Sequence, residues 1–286
     1  MTFGTFLTPD RDLETLAEPN LKLGIRTFTG ARALDDVRQF RGQNRIFDAI
    51  IDRLDAVELT CEDQCTAQYY FDIVRTLRDF HGEFSRVVEV GVYMGGSTSV
   101  LAGCIEPFGC DLDLVDTSDV YLRYAYERAR RMYPHLAHRI RMFHGDLPSY
   151  VRHVMMEERP QQTIVHHDGA HAFNQVVMDM ASLSYVREQL CAIITQDTHL
   201  RGSPKHMNFV DMALYAVFGL DLNYAPIGAV HEFMTMPDNF FGNYVRAGVP
   251  EGFVLPMSVN EFVYPHQFAN MDDFLPARQA NQRAAA

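Results

Sequence analysis

Strands and helices alternate along the middle of this 286-residue chain, and this alternation restricts the fold more than any other feature. Between about residues 86 and 218, five short β-rich runs are each followed by a segment with apolar residues at helical spacing. Strands joined through helices lie parallel, because the chain returns to the same end of the sheet before each new strand. The pattern predicts an α/β fold with a doubly wound, mostly parallel sheet. The runs are RVVEV (86–90), LDLVD (112–116), RIRMFHGD (139–146), QTIVHHD (162–168) and CAIITQD (191–197).

The flanking segments have a different character. Residues 1–40 carry irregularly spaced proline and glycine and predict an irregular arm, whereas 44–59 and 62–80 have helical apolar spacing. A final antiparallel pair is expected around residues 228–236 and 252–259. We therefore expect an N-terminal arm with helices over 1–80, serving as a cap or a dimer contact. A Rossmann-like domain over 81–270 and a flexible tail over 271–286 follow.

The composition excludes several classes of partner. A formal net charge of −12 disfavours nucleic acid and anionic membrane surfaces, which both select clustered basic residues. The N-terminus lacks a signal-peptide pattern, and no stretch approaches the roughly 18 apolar residues of a membrane span. Five cysteines in a chain of this length favour a reduced, cytoplasmic protein over a disulfide framework. A homo-oligomer that acts on a small molecule is expected.

The loop after the first predicted strand contains three glycines, and its spacing excludes two phosphate-binding motifs. A dinucleotide fingerprint needs a second glycine where Tyr93 stands. A phosphate loop needs lysine where Ser97 stands. The helix that follows is expected to open on Ser97 or Thr98, which are both good caps.

The loop instead reads Glu-x-Gly-x-x-x-Gly-x-Ser, and here the sequence resembles the class I S-adenosylmethionine-dependent methyltransferases. The resemblance implies that Asp116, at the end of the second strand, holds the ribose hydroxyls, and that Asp146 lies near the adenine. A carboxylate suits a diol because it offers only acceptors. The alternative is a tight strand–helix turn with two aspartates acting as helix caps. The implied cofactor-binding residues are Glu89, Gly91, Tyr93, Gly95, Gly96, Ser97, Asp116, Asp146 and Asp168.

Acidic and histidine residues follow the fourth and fifth strands, in the segments 166–171 and 196–199. Carboxylates that converge from two strand ends favour a hard cation such as Mg²⁺. The pattern resembles metal-dependent O-methyltransferases of the macrocin O-methyltransferase and cephalosporin hydroxylase group. That resemblance implies Asp168, Gln196 and Asp197 as metal ligands, although Gln196 stands where the group has an acid.

Histidine is the usual general base near neutral pH, so His171 and His199 are candidates, with His167 behind them. The alternative for each is a sheet-edge histidine bonded to backbone. The sequence thus predicts metal-assisted O-methylation of a hydroxyl on a small molecule, for example a sugar or a natural product. Two alternatives stay open: a metal-independent N- or O-methyltransferase, and a non-catalytic cofactor-binding or interaction protein.

Overall fold

The computed structural model describes residues 3–11, 13, 35–57, 65–202, 208–234 and 244–264. Within these residues an eight-stranded sheet is flanked by helices on both faces, and a short two-stranded ribbon lies beside it. The strands are β1 (Thr5–Leu7), β2 (Arg86–Val90), β3 (Asp111–Asp116), β4 (Ile140–His144), β5 (Thr163–His167), β6 (Leu190–Thr195), β7 (Leu200–Arg201), β8 (Ala225–Val230), β9 (Tyr244–Val245) and β10 (Pro250–Pro256).

Among the described residues, three of the six helices longer than eight residues begin at a residue whose side chain accepts a backbone N–H, which is the expected chemistry of a helix start. Asn44, Thr66 and Ser118 cap the second, third and fifth helices in this way. Short 3₁₀ segments follow the fifth and seventh helices, and a π-helical turn, Val151–Met155, extends the sixth. The helices are α1 (Asp35–Arg38), α2 (Arg45–Ala56), α3 (Ala67–Asp79), α4 (Gly96–Phe108), α5 (Asp119–Met132), α6 (Leu147–Tyr150), α7 (Phe173–Leu183) and α8 (Val210–Phe218).

The strand order is β1-β4-β3-β2-β5-β6-β10-β8. The five strands from β4 to β6 are parallel, β10 is antiparallel to both β6 and β8, and β1 is antiparallel to β4. The predicted doubly wound, mostly parallel sheet and its final antiparallel pair are confirmed. Strands β2, β3 and β4 follow one another outward from the middle of the sheet, and the next strand, β5, lies on the other side of β2. This reversal opens a crevice at the carboxyl ends of β2 and β5.

Two hydrophobic cores cover the two faces of the sheet. One contains Val87 and side chains from α2, α3, α4 and α5, and the other contains Val88 together with residues of α6, α7 and α8. Helix α3 packs on β8 and α4, and α2 packs on α4, so both helices belong to the first face. The domain boundaries at residues 80 and 270 stay a prediction, and the expected tail over 271–286 lies outside the described residues.

Three local expectations are wrong. The arm expected to be irregular contains β1, which is too short to show an alternating pattern and forms because β4 offers it an unpaired edge. Helix α4 is capped by the backbone of Gly95, so Ser97 and Thr98 lie in its first turn and do not open it. The first strand of the final pair ends at Val230, several residues before its expected end.

Among the residues that the structure describes, no helix combines the length and the apolar character needed to cross a membrane.

Candidate active site

A cavity of about 620 Å³ opens at the crevice between β2 and β5. Its wall combines the glycine loop, the ends of β3 and β4, the segment after β5 and the residues after β6. This is the sheet edge at which the sequence predicted a site. Most of the predicted cofactor residues line it: Gly91, Tyr93, Gly96, Ser97, Asp116, Asp146 and Asp168.

The glycine loop is shaped by contacts within the protein. Gly91 has a φ of +82°, and a Cβ atom there would overlap the backbone carbonyl of Asp168. The two segments are tied together because the Asp168 N–H donates to the Val90 carbonyl over 2.8 Å. Gly95, with a φ of +77°, would meet Ala125 in the same way. Glycine is therefore needed at position 91 to let the loop after β5 cross the loop after β2.

Glu89 lies behind the loop and outside the residues that line the cavity. It is fully buried on β2 and accepts a 2.7 Å hydrogen bond from the Thr98 hydroxyl. This bond joins β2 to the first turn of α4 and fixes the turn between them. Contact between Glu89 and a cofactor stays a prediction.

Asp116 and Asp146 both face the cavity, and both also organise backbone. Asp116 accepts the N–H groups of Val92 at 3.0 Å and Ser118 at 2.8 Å. Burial raises the pKa of Asp116, although these backbone donors oppose the rise. Asp146 caps α6 by accepting the Ser149 N–H at 3.0 Å. The helix-cap alternative is thus correct for Asp146, and it leaves the ligand role open because the residue also lines the cavity.

The acidic and histidine residues after β5 and β6 meet at one point of the cavity. Nε2 of His171 lies 3.1 Å from Oδ2 of Asp197 and 3.7 Å from Oδ1 of Asp168. Among the described residues, these three form one group whose possible ligand atoms all lie within 4.8 Å of one another. We call Asp168, His171 and Asp197 the acidic cluster. Asp197 has a φ of +59°, a conformation that residues other than glycine adopt mainly where the surrounding structure imposes it.

Gln196 lies beside the acidic cluster, and its predicted role as a metal ligand stays a prediction. Its Nε2 donates to the Cys65 sulfur at 3.1 Å, and its carbonyl oxygen faces the Asp168 carboxylate. Two acceptors in contact repel each other. Exchange of the amide nitrogen and oxygen makes Gln196 a donor to Asp168, and a cation between the oxygens would make it a ligand. The role of Gln196 therefore depends on whether a cation binds.

The three histidines predicted as bases differ in their surroundings. Of these, His171 lines the cavity. Burial lowers its pKa, but Asp197 and Asp168 outweigh burial and raise it to about 9. His199 is buried and stacks on His231, and burial lowers its pKa to about 4. At neutral pH, His171 without a cation is therefore protonated, whereas His199 is neutral.

His167 is buried and bonds to Asp179, with 2.9 Å between Nε2 and Oδ2. Asp179 lies on α7 and lines the cavity beside Gln175. His167 therefore supports a cavity-lining carboxylate from behind. Its predicted role as a base remains untested.

Several residues of the cavity wall were not anticipated from the sequence. They are Cys65 just before α3, Tyr121 on α5, and Gln175 and Asp179 on α7. The rings of Tyr121 and Tyr93 lie in contact, with centroids 5.2 Å apart. Tyr121, Gln175 and Asp179 sit on helices whose amphipathic pattern identifies a buried face, but the pattern cannot distinguish core from cavity.

A family model described as a methyltransferase domain matches residues 88–198. This segment runs from β2 to the residue after Asp197 and contains the glycine loop, Asp116, Asp146 and the acidic cluster. Residues 88–198 are thus similar to a methyltransferase domain. No curated protein matches the chain.

Solved structures with a related chain path were also found. Cofactor-bound Rv0187 from MTB is 14% identical, with a TM-score of 0.47, over 77% of this chain and 93% of that one. A SAM-dependent O-methyltransferase from Thermotoga maritima is 12% identical, with a TM-score of 0.42, over 72% of this chain and 69% of that one. The assignment of the fold rests on the strand order and not on these similarities.

Proposed function

We propose that the chain is an S-adenosylmethionine-dependent methyltransferase that methylates a hydroxyl group of a small molecule with the help of a divalent cation. One observation carries this proposal: a single cavity joins the glycine loop and the two strand-end aspartates to the acidic cluster. The similarity of residues 88–198 to a methyltransferase domain supports the transfer chemistry. The proposal includes a small molecule as the hydroxyl acceptor. It also includes the expectation that the protein has no nucleic-acid or membrane partner.

The donor set suits the cofactor. Each oxygen of Asp116 accepts one backbone N–H, which leaves further lone pairs for the two hydroxyls of a ribose. Gly145, Asp146 and Leu147 form the neighbouring wall, where the adenine would lie. The cavity volume of about 620 Å³ falls within the range of roughly 300–1,000 Å³ of small-molecule sites.

The acidic cluster suits one divalent cation. Oxygen ligands at about 2.1 Å in octahedral geometry lie roughly 3 to 4 Å apart, and Mg²⁺ retains waters at its other positions. The separations of His171 from Asp197 and Asp168, 3.1 and 3.7 Å, fall in this range. An imidazole in the set also favours metals softer than Mg²⁺, such as Mn²⁺ or Fe²⁺.

The cofactor supplies an electrophilic methyl group when bound, and a divalent cation supplies a Lewis acid that lowers the pKa of a bound hydroxyl. Asp168 and Asp197 hold the acceptor side of the cavity at a fixed distance from the glycine loop, which orients the hydroxyl for in-line attack. Where Asp168 and Asp197 alone would hold the cation, Nε2 of His171 lies at the same point and could take up the proton that leaves the hydroxyl; as a cation ligand it could not. The buried cavity floor, which includes Val90 and Met94, excludes water from the reacting groups.

A metal-independent methyltransferase is the second candidate, and the ion pairs of His171 favour it. Protonated His171 balances the charge of Asp168 and Asp197 without any cation. In that arrangement the Gln196 amide donates to Asp168. The cation and the imidazolium therefore compete for the same two carboxylates.

Calorimetry with S-adenosylmethionine and with S-adenosylhomocysteine tests the cofactor. We expect binding of both, and we expect Asp116→Asn to weaken it about 10- to 100-fold because two charge-assisted hydrogen bonds become neutral. The control is Asp79→Asn, which removes an exposed carboxylate on α3. Failure of the wild-type protein to bind either compound below about millimolar would reject the proposal.

Mn²⁺ binding, followed by electron paramagnetic resonance, tests the cation without knowledge of the acceptor. We expect Asp168→Asn and Asp197→Asn each to weaken binding at least about tenfold, because each removes a carboxylate ligand. The matched control is Glu106→Gln, a substitution at an exposed position. If the protein binds no Mn²⁺ and turnover of hydroxyl acceptors is undiminished in EDTA, the cation is rejected and the metal-independent methyltransferase becomes the proposal.

A further inference from the structure

A second cavity, of about 370 Å³, lies at the amino ends of β2, β3, β4 and β5, on the edge opposite the cofactor cavity. We call it the amino-edge cavity. Three arginines and one aspartate contribute its formal charges, although the chain as a whole carries −12. Its lining residues are Arg86, Asp111, His138, Arg139, Arg141 and Gln161.

Arg86 is the deepest of these residues, with only 1% of its surface exposed. Its Nε donates to the Thr163 hydroxyl at 3.1 Å. Both terminal nitrogens, Nη1 and Nη2, lack a hydrogen-bond partner among the described residues. The Glu158 carboxylate comes within 3.7 Å of Nη1, which is beyond hydrogen-bonding distance. A buried guanidinium with unsatisfied donors is costly, so these donors point to a ligand.

The other two arginines have already taken the carboxylates nearby. Arg141 forms a two-bond contact with Asp113, at 2.7 and 2.6 Å, and also bonds to Glu158 at 2.8 Å. Arg139 bonds to Asp111 at 2.8 Å. Arg86 is therefore the arginine of this cavity whose terminal nitrogens the described carboxylates do not satisfy.

We propose that the amino-edge cavity binds a small oxyanion of the phosphate or phosphomonoester class, with Arg86 as its main donor. A guanidinium presents two parallel N–H groups that match two oxygens of a phosphate. Arg139 and Arg141 lie at the mouth, where Asp111, Asp113 and Glu158 balance their charges, and the volume leaves room for a small organic group on the phosphate. Strand β2 runs from Arg86 to Val90 at the cofactor cavity, so the two sites lie about 13 Å apart along the strand.

Titration of the full-length protein with inorganic phosphate, methyl phosphate and succinate, at constant ionic strength made up with chloride, tests this site. We expect saturable binding of both phosphates by calorimetry and by ³¹P line broadening, and weaker binding of succinate. Arg86→Met should weaken phosphate binding at least about tenfold. At the mouth, Arg139→Gln should weaken it about threefold, and Asp111→Asn should strengthen it by a similar factor.

The exposed pair Arg78 and Asp79 on α3 provides matched controls. Arg78→Gln and Asp79→Asn make the same charge changes at residues that do not line the cavity, and they should leave phosphate binding unchanged. If Arg86→Met does not fold, the opposite effects of Arg139→Gln and Asp111→Asn still decide the question.

The proposal is overturned if phosphate does not saturate the wild-type protein by about 10 mM, which corresponds to a free energy weaker than that of ordinary ligand sites. It is also overturned if the α3 controls have the same effects as the substitutions at the mouth. Loss of phosphate binding in Asp116→Asn would assign the anion to the cofactor cavity and reject the amino edge.

Discussion

The two edges of the parallel sheet both carry charged side chains, but they are built in different ways. At the carboxyl edge, Gly91, Tyr93, Gly95 and Asp197 all have positive φ angles. The residues lining the amino-edge cavity have none. There the charges come from side-chain pairs such as Asp113 and Arg141, which are direct neighbours on β3 and β4. Backbone conformation thus shapes the first edge, and pairing between side chains shapes the second.

The strongest test of this contrast is Gly91→Ala. The new Cβ would overlap the Asp168 carbonyl, so the loops after β2 and β5 must separate. We expect the affinity for S-adenosylmethionine to fall at least about 100-fold and the free energy of unfolding to fall by several kcal/mol, as measured by calorimetry and urea denaturation.

Gly109→Ala is the control for Gly91→Ala. Gly109 has a similar φ of +69°, but a Cβ there would meet nothing within 4 Å. It should lose about 1 kcal/mol from backbone strain alone and keep the affinity. Equal effects of the two substitutions on affinity would show that strain, and not the crossing of two loops, shapes the site.

At the amino edge, Asp113→Asn should mainly affect stability. Asp113 is fully buried, pairs with Arg141 and accepts the Tyr150 hydroxyl, so the change puts a buried amide in place of the paired carboxylate and leaves Arg141 bonded to Glu158. We expect the free energy of unfolding to fall by about 3 kcal/mol in urea denaturation, with cofactor affinity of the folded protein nearly unchanged. The half-exposed Asp111 offers the control Asp111→Asn, expected to lose less than about 1 kcal/mol. If Asp113→Asn greatly weakened cofactor binding without lowering stability, the result would contradict the view that the amino edge affects stability and not cofactor binding.

Glu251 shows how a buried carboxylate near the carboxyl edge affects stability. It accepts hydrogen bonds from Thr66 and from Ala229, and so links β10 to the start of α3 and to β8. Burial raises its pKa from 4.5 to about 7. Between these values the folded state keeps a proton that the unfolded state has released. The stability contributed by Glu251 is therefore present below pH 4.5 and is lost as the pH rises to about 7.

The measurement is urea denaturation of the wild type and Glu251→Gln across this pH window. The stability of the wild type relative to the variant should fall by up to about 3 kcal/mol as the pH rises. Glu106→Gln, at an exposed position, should show no such trend. A constant difference between wild type and Glu251→Gln would contradict the raised pKa.

The smallest expected effect concerns the acidic cluster without a cation. Asp197→Asn removes the nearer carboxylate beside His171, so the pKa of His171 should fall from about 9 toward its usual value of 6.5. Nuclear magnetic resonance of the imidazole in EDTA measures this directly. Asp179→Asn serves as the control, because Asp179 pairs with His167 instead. If the pKa of His171 is unchanged in Asp197→Asn, the Asp197 carboxylate does not raise the pKa of His171.

The sequence predicted the site better than it predicted the roles within it. The carboxyl ends of parallel strands meet at one edge of the sheet. The periodic pattern of strands and helices was therefore enough to place four residues at that edge: Asp116, Asp146, Asp168 and Asp197. His199 follows Asp197 by only two residues, yet it does not line the cavity, and the backbone at Asp197 has a positive φ. A change of backbone direction at one residue leaves no trace in the apolar pattern. The apolar pattern also did not identify Cys65, which precedes α3, or Asp179, which lies on α7.

What the sequence determined by itself is the order of strands and helices, because apolar periodicity and turn residues act over a few neighbouring positions. It also determined which acidic residues end the strands. Only the tertiary structure decided why Gly91 must be glycine, since the reason is the carbonyl of Asp168 from another loop. It also decided which carboxylates His171 balances and which arginine keeps unsatisfied donors. Those outcomes depend on distances between segments far apart in the chain, and local sequence patterns do not encode such distances.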